Sequence, residues 1–152
     1  STMALFMIRW ISDGLNSLLF TEFALVTQKC PFSGIYRSHG ILKIQFTPKN
    51  VAYIYTTREE FATLNMDLFT VSRGMVNTMA DMKGVSIWAN FTETENGVVC
   101  ELRSSLHTIQ PIAVKYGGGG HKKASGATLK NKDEAMAMLE DLISLTKENE
   151  NA

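Results

Sequence analysis

The chain has 152 residues, of which 45% are hydrophobic and 20% charged, and its formal net charge is zero. This length predicts one domain that can bury its own core, and the composition excludes disordered, collagen-like and coiled-coil proteins. Zero net charge argues against a protein held to nucleic acid by bulk charge alone, although a local basic site remains possible.

Residues 3–30 are predicted to be helical and apolar, up to the Cys30–Gly34 segment, where proline and glycine interrupt regular structure. The longest apolar run, Met3–Ile11, is shorter than the ~20 residues of a membrane span and lacks the features of a signal peptide. We therefore expect a cytoplasmic protein without a membrane partner. The expected organisation is a helical connector or remnant of a preceding domain over residues 1–33, an α/β domain over residues 34–147 and a tail over residues 148–152.

The α/β region opens with two predicted strands, because apolar residues alternate with others around Leu42–Phe46 and Val51–Tyr55. The Thr47–Asn50 turn between them indicates a hairpin. Thr57 and Glu60 have the spacing of a capping box, so a helix is predicted to begin there. A further helix, ended by Gly84, is predicted from a stripe at helical spacing: Val71, Met75, Met79 and Met82.

A second hairpin is predicted from two alternating runs, Val85–Phe91 and Val98–Arg103, that flank Asn96-Gly97. Asn-Gly is the preferred central pair of a type I′ turn, because both positions need a positive φ. Strand alternation then puts Arg103 at the end of a strand, on the face opposite Cys100 and Leu102. Cys100 is predicted to be a buried apolar residue, and Trp88 either packs under a helix or offers a stacking platform for a base.

Two helices complete the pattern. Residues Ile109–Tyr116 step at helical spacing, with Pro111 accommodated in the first turn. Asn131 can cap a terminal helix with Glu134 three residues later. The economical fold is α/β, a mixed β-sheet flanked by helices, with an N-terminal helical extension. The apolar stripe of the terminal helix is Ala135, Met138, Leu139 and Leu142.

The feature that most needs a reason is the run of four glycines, Gly117–Gly120, followed by His121, Lys122 and Lys123. It lies in the stretch from Leu102 to Lys132, which contains six lysines or arginines and no acidic residue. Adjacent glycines are entropically costly and are kept where the backbone must approach something closely, and successive amides can form an anion-binding concavity. The glycine run is therefore predicted to bind a phosphate or a phosphodiester. The glycine run matches neither the Walker nor the Rossmann phosphate-binding pattern. The alternative without a binding function is a flexible linker.

Four segments together resemble the C-terminal DHH-associated domain of the DHH phosphoesterases, in the nano-RNA oligoribonuclease branch that is related to RecJ exonucleases. The resemblance implies a substrate-binding domain, with contacts to phosphate or the terminal base from the strand-end arginine and the glycine-run histidine. By motif, the substrate-binding residues are Arg103, Ser104, Gly118, Gly119, Gly120, His121 and Lys122. The matching segments are Glu101–Ser104, Ile112–Tyr116, Gly117–His121 and Ala124–Ala127.

Two positions depart from the pattern of that family. Relatives often have serine where Glu101 stands and asparagine where Gln110 stands. The carboxylate of Glu101 is two residues from Arg103 on the same strand face and is placed to compete with substrate for the guanidinium. Substrate preference is therefore less firmly implied than the binding role.

The family's catalysis belongs to an N-terminal domain in which an Asp-His-His triplet and further residues hold manganese. This chain has three histidines, His39, His107 and His121, and no two are adjacent. We therefore expect no catalytic residue, metal ligand or cofactor in this chain, and a catalytic Asp-His-His domain, with its manganese, in cis. His39 and His107 are expected to be ordinary surface or packing residues.

We therefore predict a domain that binds the phosphate ends of short oligoribonucleotides or of adenosine bisphosphate, so that the catalytic domain can hydrolyse them. Two alternatives stay open: a stand-alone nucleic-acid-binding module, as at the C-terminus of alanyl-tRNA synthetases, and a cyclic dinucleotide sensor. In the first hypothesis the partner is short RNA or a nucleotide. All three hypotheses are compatible with an oligomeric protein.

Overall fold

The computed structural model describes residues 44–148, and every structural statement below concerns them. Residues 44–80 and 84–148 form one compact unit to which residues 81–83 do not belong. The predicted N-terminal helical extension, the boundary near residue 33 and His39 lie outside the described residues.

The compact unit is a six-stranded mixed sheet with helices on both faces, as the sequence predicted. Its elements in chain order are β1 (Ile44–Phe46), β2 (Val51–Thr56), α1 (Arg58–Leu64), β3 (Ile87–Thr94), β4 (Gly97–Ser104), α2 (Gln110–Lys115), β5 (Gly119–His121), β6 (Ala124–Leu129) and α3 (Lys132–Glu148). Between α1 and β3 the chain forms a π-helical segment, Thr70–Gly74, and a 3-10 turn, Asn77–Met79. The strand order is β1-β2-β3-β4-β6-β5, and neighbouring strands are antiparallel except for the parallel pair β2 and β3.

Short-range hydrogen bonds set the element boundaries that the sequence predicted. The amide of Glu60 donates to the Thr57 hydroxyl at 3.3 Å and the Thr57 amide donates to the Glu60 carboxylate at 3.0 Å, which completes the capping box of α1. At α3 the Glu134 amide donates to the side chain of Asn131 at 3.0 Å. Pro111 lies in the first turn of α2, where its missing amide hydrogen costs nothing.

The predicted helix from Val71 to Met82 is confirmed in part. The chain is helical over residues 68–79 and buries Val71, Met75 and Met79 as predicted. It is π-helical over Thr70–Gly74, however, and its last helical turn, Asn77–Met79, ends before Gly84. The side-chain amide of Asn90, on β3, donates to the carbonyls of Val71 and Ser72 at 2.6 and 2.8 Å. A side chain inserted into the hydrogen-bond ladder is a known cause of departures from regular α-helix.

The predicted type I′ turn at Asn96-Gly97 is also wrong, although the hairpin itself is confirmed. Gly97 pairs with Thr94, so the two turn residues are Glu95 and Asn96, and neither has a positive φ. The hydroxyl of Thr94 accepts from the Asn96 amide at 3.2 Å and donates to the Gly97 carbonyl at 3.0 Å. Gly97, at φ 130°, is glycine because a Cβ there would overlap the carbonyl of Leu129 on β6.

The two faces of the sheet differ in character. One face packs against α2 and α3 and forms the core, which contains Cys100, Leu102 and the predicted stripe of α3. The other face, here called the polar face, carries Trp88, Asn90, Glu101 and Arg103, and the π-helical segment covers part of it. Trp88 is only 7% exposed, so the packing alternative is confirmed and the stacking alternative is wrong.

Candidate functional site

The glycine run begins as a helix terminator. Gly117 has φ 77°, its amide donates to the carbonyl of Val114 at 2.9 Å, and the Gly118 amide donates to Ala113 at 2.8 Å. This is the Schellman arrangement at the end of α2. Because both amides are engaged, the predicted anion-binding concavity of successive amides does not form at Gly117 and Gly118.

Of the remaining three glycines, Gly118 precedes the edge strand β5 and Gly119 and Gly120 begin it. The surroundings of each position differ in whether they leave room for a side chain. A Cβ at Gly118 would overlap the carbonyl of Gly126 and lie 2.5 Å from the Ala127 side chain. Gly120 has φ 135° and a Cβ there would lie 2.6 Å from the carbonyl of Ala124. A Cβ at Gly119 would meet nothing within 4 Å, and its φ is not positive. Gly119 is thus the one residue of the three whose missing side chain is not required by the fold itself.

Strand register brings two of the predicted binding residues to the same face. His121 on β5 pairs with Ala124 on β6, and Ala124 pairs with Arg103 on β4. Directly paired residues of antiparallel strands point to the same face, so His121 and Arg103 flank the small Ala124 with their backbones about 10 Å apart. The proximity of the glycine run to the arginine, which the sequence predicted, is therefore observed.

Two residues further along these strands, a pair of glycines lies beside a carboxylate. The surface without side chains that these glycines leave is here called the floor. Gly119 pairs with Gly126, and Gly126 pairs with Glu101. A Cβ at Gly126 would lie 2.9 Å from the carbonyl of Cys100 and 3.6 Å from the Glu101 carboxylate. On the polar face, β5 and β6 therefore lack side chains beside Glu101, whereas two residues further along the strands His121 and Arg103 flank Ala124.

Glu101 is held between two arginines. Its Oε2 lies 3.1 Å from Nη1 of Arg103, and its Oε1 lies 3.3 Å from Nε of Arg73. Arg103 Nη1 also donates to the carbonyl of Leu102 at 2.8 Å. The side chains of Glu101 and Arg103 are 10% and 17% exposed, whereas that of Arg73 is 56% exposed. The predicted contact between Glu101 and Arg103 is therefore present, and Glu101 also contacts a second guanidinium, that of Arg73.

Arg73 and its neighbour Phe69 were missed by the sequence reasoning. The Arg73 guanidinium lies 5.3 Å from the centre of the Phe69 ring, which is 64% exposed. Such a distance is that of a cation–π contact. The sequence offered only a charged residue between the positions of a predicted core stripe, and Arg73 is 28 positions from Glu101.

Two predicted residues are not gathered with the others. Ser104 points to the opposite face from Arg103, and its hydroxyl donates to the Ser86 carbonyl at 2.9 Å and accepts from the His107 amide at 2.7 Å. Its role is to hold the turn after β4. Lys122 is exposed at the tip of the β5–β6 hairpin, where its carbonyl accepts from Ile109 at 2.8 Å.

Side chains around the hairpin fix its position. The Gln110 amide donates to the Gly120 carbonyl at 2.8 Å, and Lys123 Nζ donates to the carbonyl of Ser105 at 2.6 Å. The Ser125 hydroxyl donates to the carbonyl of His121 at 2.7 Å. The candidate site is thus built on backbone that is tied to β4, α2 and β6 rather than on a slack loop.

Within residues 44–148, no group of three or more His, Cys, Asp and Glu side chains is arranged to hold a metal ion. Nε2 of His107 and the Ser86 hydroxyl form a hydrogen bond at 3.0 Å, which is in keeping with the packing role expected for this histidine. In the same part of the chain no helix combines the length and apolar character needed to cross a membrane.

Comparison with known proteins points to one family. The model of the DHHA1 domain matches residues 69–148, which is more than half of the chain. The bifunctional oligoribonuclease and PAP phosphatase NrnA of Bacillus subtilis is 36% identical over 94 residues, which are 62% of this chain and 29% of that protein. The chain therefore spans less than a third of this curated relative.

Two solved structures share the fold. An exopolyphosphatase-related protein from Bacteroides fragilis superposes with a TM-score of 0.62 at 25% identity, over 72% of this chain and 34% of the other. The C-Ala domain of alanyl-tRNA synthetase from Aquifex aeolicus superposes with a TM-score of 0.51 at 9% identity, over 69% of this chain and 98% of that domain. The second likeness concerns the fold alone.

Proposed function

The chain belongs to the DHHA1 domain family, and on that premise we propose that it is the substrate-binding domain of a DHH-family phosphoesterase of the NrnA type. Its ligand is the phosphate end of a short oligoribonucleotide or of adenosine bisphosphate. This ligand class is supported by the activities in the name of the B. subtilis relative, which is an oligoribonuclease and a PAP phosphatase.

The observation that carries the proposal is the position of His121 and Arg103 on either side of Ala124 on the polar face. A guanidinium presents donors in a fixed fork that matches two phosphate oxygens, and an imidazole supplies a further donor to phosphate or base. Gly119 leaves the floor beside them open, so that a nucleotide can approach the backbone. Arg103 binds the phosphate, His121 orients the end, and Gly119 gives access.

Hydrolysis is assigned to a separate catalytic domain of the same protein, which carries the Asp-His-His motif and manganese. A metal there supplies an activated water, while the residues of this chain bind and orient the phosphate end. Lys122, at the exposed hairpin tip, adds positive charge near the entering ligand. Ser104 contributes to the proposal only by fixing the end of β4, on which Arg103 lies.

The test is a titration of the 152-residue chain with 5′-phosphorylated oligoribonucleotides of two to twelve nucleotides, beside a hydrolysis assay with manganese. We expect affinity to stop rising beyond a few nucleotides, to depend on the terminal phosphate, and to be accompanied by no hydrolysis. Affinity that rises steadily with length and falls steeply with salt would overturn the proposal in favour of a general nucleic-acid-binding module. Preference for a cyclic dinucleotide, which has no free end, would favour the sensor alternative.

A further inference from the structure

The contact between Glu101 and the two arginines has a consequence for the charge of the ligand. Each oxygen of this carboxylate faces a different guanidinium, at 3.1 Å for Arg103 and 3.3 Å for Arg73. The carboxylate is nearly buried, so it cannot turn into water without leaving both partners. The local sum of these three side chains is therefore one positive charge rather than two.

Both guanidinium groups keep hydrogen-bond donors that this contact does not engage. Arg73 engages Glu101 only through Nε, and Arg103 does so only through Nη1, which also donates to the Leu102 carbonyl. The other donors of both side chains have no partner within residues 44–148, and Arg73 is more than half exposed. A carboxylate that fixes two arginines while leaving donors free prepares them for an anion from outside.

We propose that Arg73 is a second phosphate-binding residue, and that Glu101 reduces the advantage that the two arginines give to a doubly charged phosphomonoester over a singly charged phosphodiester. The inference rests on the proposed function and refines it, since it lets the internucleotide linkage of an oligoribonucleotide compete more evenly with a doubly charged phosphate end such as those of adenosine bisphosphate.

The physical reason is the Coulomb energy between Glu101 and the ligand. Repulsion between a fixed carboxylate and a bound phosphate doubles when the phosphate carries two charges instead of one. The attraction of the arginines doubles as well, but one of their two charges is already balanced. Removing the carboxylate charge must therefore benefit a dianion more than a monoanion.

The experiment compares two ligands that differ in one charge: adenosine 5′-monophosphate and its methyl phosphodiester. Binding to the 152-residue chain is measured at pH 8, where the monoester carries two charges because its second pKa is about 6. In Glu101→Gln, we expect the affinity for the monoester to rise at least about fivefold more than the affinity for the diester. In Arg73→Gln, both affinities should fall, and the monoester's should fall further.

The matched control is Glu95→Gln. Glu95 also pairs with an arginine, Arg58, at 2.7 Å, but it lies at the β3–β4 turn, at the opposite end of the hairpin from Arg103. This variant has the same change in net charge and should leave the ratio of the two affinities unchanged.

The outcomes separate the two levels of the proposal. Equal changes for both ligands in Glu101→Gln, or a loss of both, would overturn the discrimination by Glu101 and leave the proposed function standing. Unchanged binding in Arg73→Gln would remove Arg73 from the site. Binding of neither ligand by the unmodified chain would overturn the proposed function and this inference with it.

Discussion

His121 and Arg103 lie on the same face of the sheet on either side of Ala124, although they are 18 positions apart in the chain and belong to strands that are not neighbours. In the strand register only the methyl side chain of Ala124 lies between them. The β5–β6 hairpin that carries His121 is tied to α2 through Gln110, and the Arg103 guanidinium is held by Glu101. Groups that are held in place before an anion binds lose less conformational freedom on binding.

Replacement of Arg103 with alanine tests the central residue of the site. We expect Arg103→Ala to weaken binding of a phosphorylated dinucleotide by more than about 1 kcal/mol, since a charge-assisted hydrogen bond is lost. The fold should persist because Glu101 keeps Arg73 as a partner. Unchanged affinity by calorimetry would contradict the assignment, and Arg58→Ala, an arginine at the far end of the hairpin, is the control.

Substitutions at Gly119 and Gly118 separate binding from folding. Gly119→Val adds a side chain in open space, so the protein should fold while binding is abolished by obstruction of the floor. Gly118→Ala forces a methyl group into the Gly126 carbonyl and should destabilise the protein by about 1–3 kcal/mol. Urea unfolding and nucleotide titration of both variants give the comparison. A Gly119→Val protein that folds and binds tightly would show that the floor is not used.

The parts of the fold that could be predicted from sequence are those set by neighbours in the chain. The capping residues Thr57 and Asn131 act over three positions, and the stripe of α3 repeats every turn, so both could be identified without a structure. The resemblance to the DHH-associated domain also rested on local motifs, and the family match over residues 69–148 confirms it.

The errors came from contacts between distant segments. Gly97 was interpreted as a turn residue, whereas its missing side chain makes room for Leu129 on β6. Asn90 reaches the carbonyls of the π-helical segment from 18 and 19 positions away, and Arg73 reaches Glu101 over 28 positions. No local pattern predicts which residue of a covering segment meets which residue of the sheet beneath it.

Phe69 offers an exposed ring at the edge of the site. Because its ring contacts the Arg73 guanidinium, a base bound next to the phosphate can stack on it, which is worth about 1–3 kcal/mol per base. We expect Phe69→Ala to weaken binding of a dinucleotide more than that of inorganic phosphate. Leu106→Ala removes another exposed large apolar side chain, outside the site, and should change neither affinity. Equal effects of Phe69→Ala on both ligands would argue against stacking.

Burial of Cys100 gives a pH dependence. Desolvation raises the pKa of this thiol to about 12 from an ordinary value of 9.0. The unfolded chain releases this proton above pH 9 and the native protein holds it up to about pH 12, so the contribution to stability is full below pH 9 and is lost between the two values. In a Cys30→Ser background, Cys100 should resist alkylation at pH 8.5 until the protein unfolds. Rapid alkylation of the native protein would show that the thiol is not buried.

Asn90 and Thr92 lie two positions apart on β3 and are both fully buried. The side-chain nitrogen of Asn90 has two partners, whereas its side-chain oxygen and the Thr92 hydroxyl have none in the described part of the chain. The Asn90 amide donates to two carbonyls of the π-helical segment, so Asn90→Ala should remove two buried hydrogen bonds and lower the free energy of unfolding by about 2 kcal/mol or more. The hydroxyl of Thr92 has no partner, and Thr92→Val should be neutral or stabilising because a buried polar group without a hydrogen bond is removed. Since the π-helical segment carries Arg73, Asn90→Ala should also weaken phosphate binding, whereas Thr92→Val should not. Chemical unfolding and titration with adenosine 5′-monophosphate measure both effects, and equal stabilities for the two variants would contradict the assignment of Asn90 as the residue that holds the segment in place.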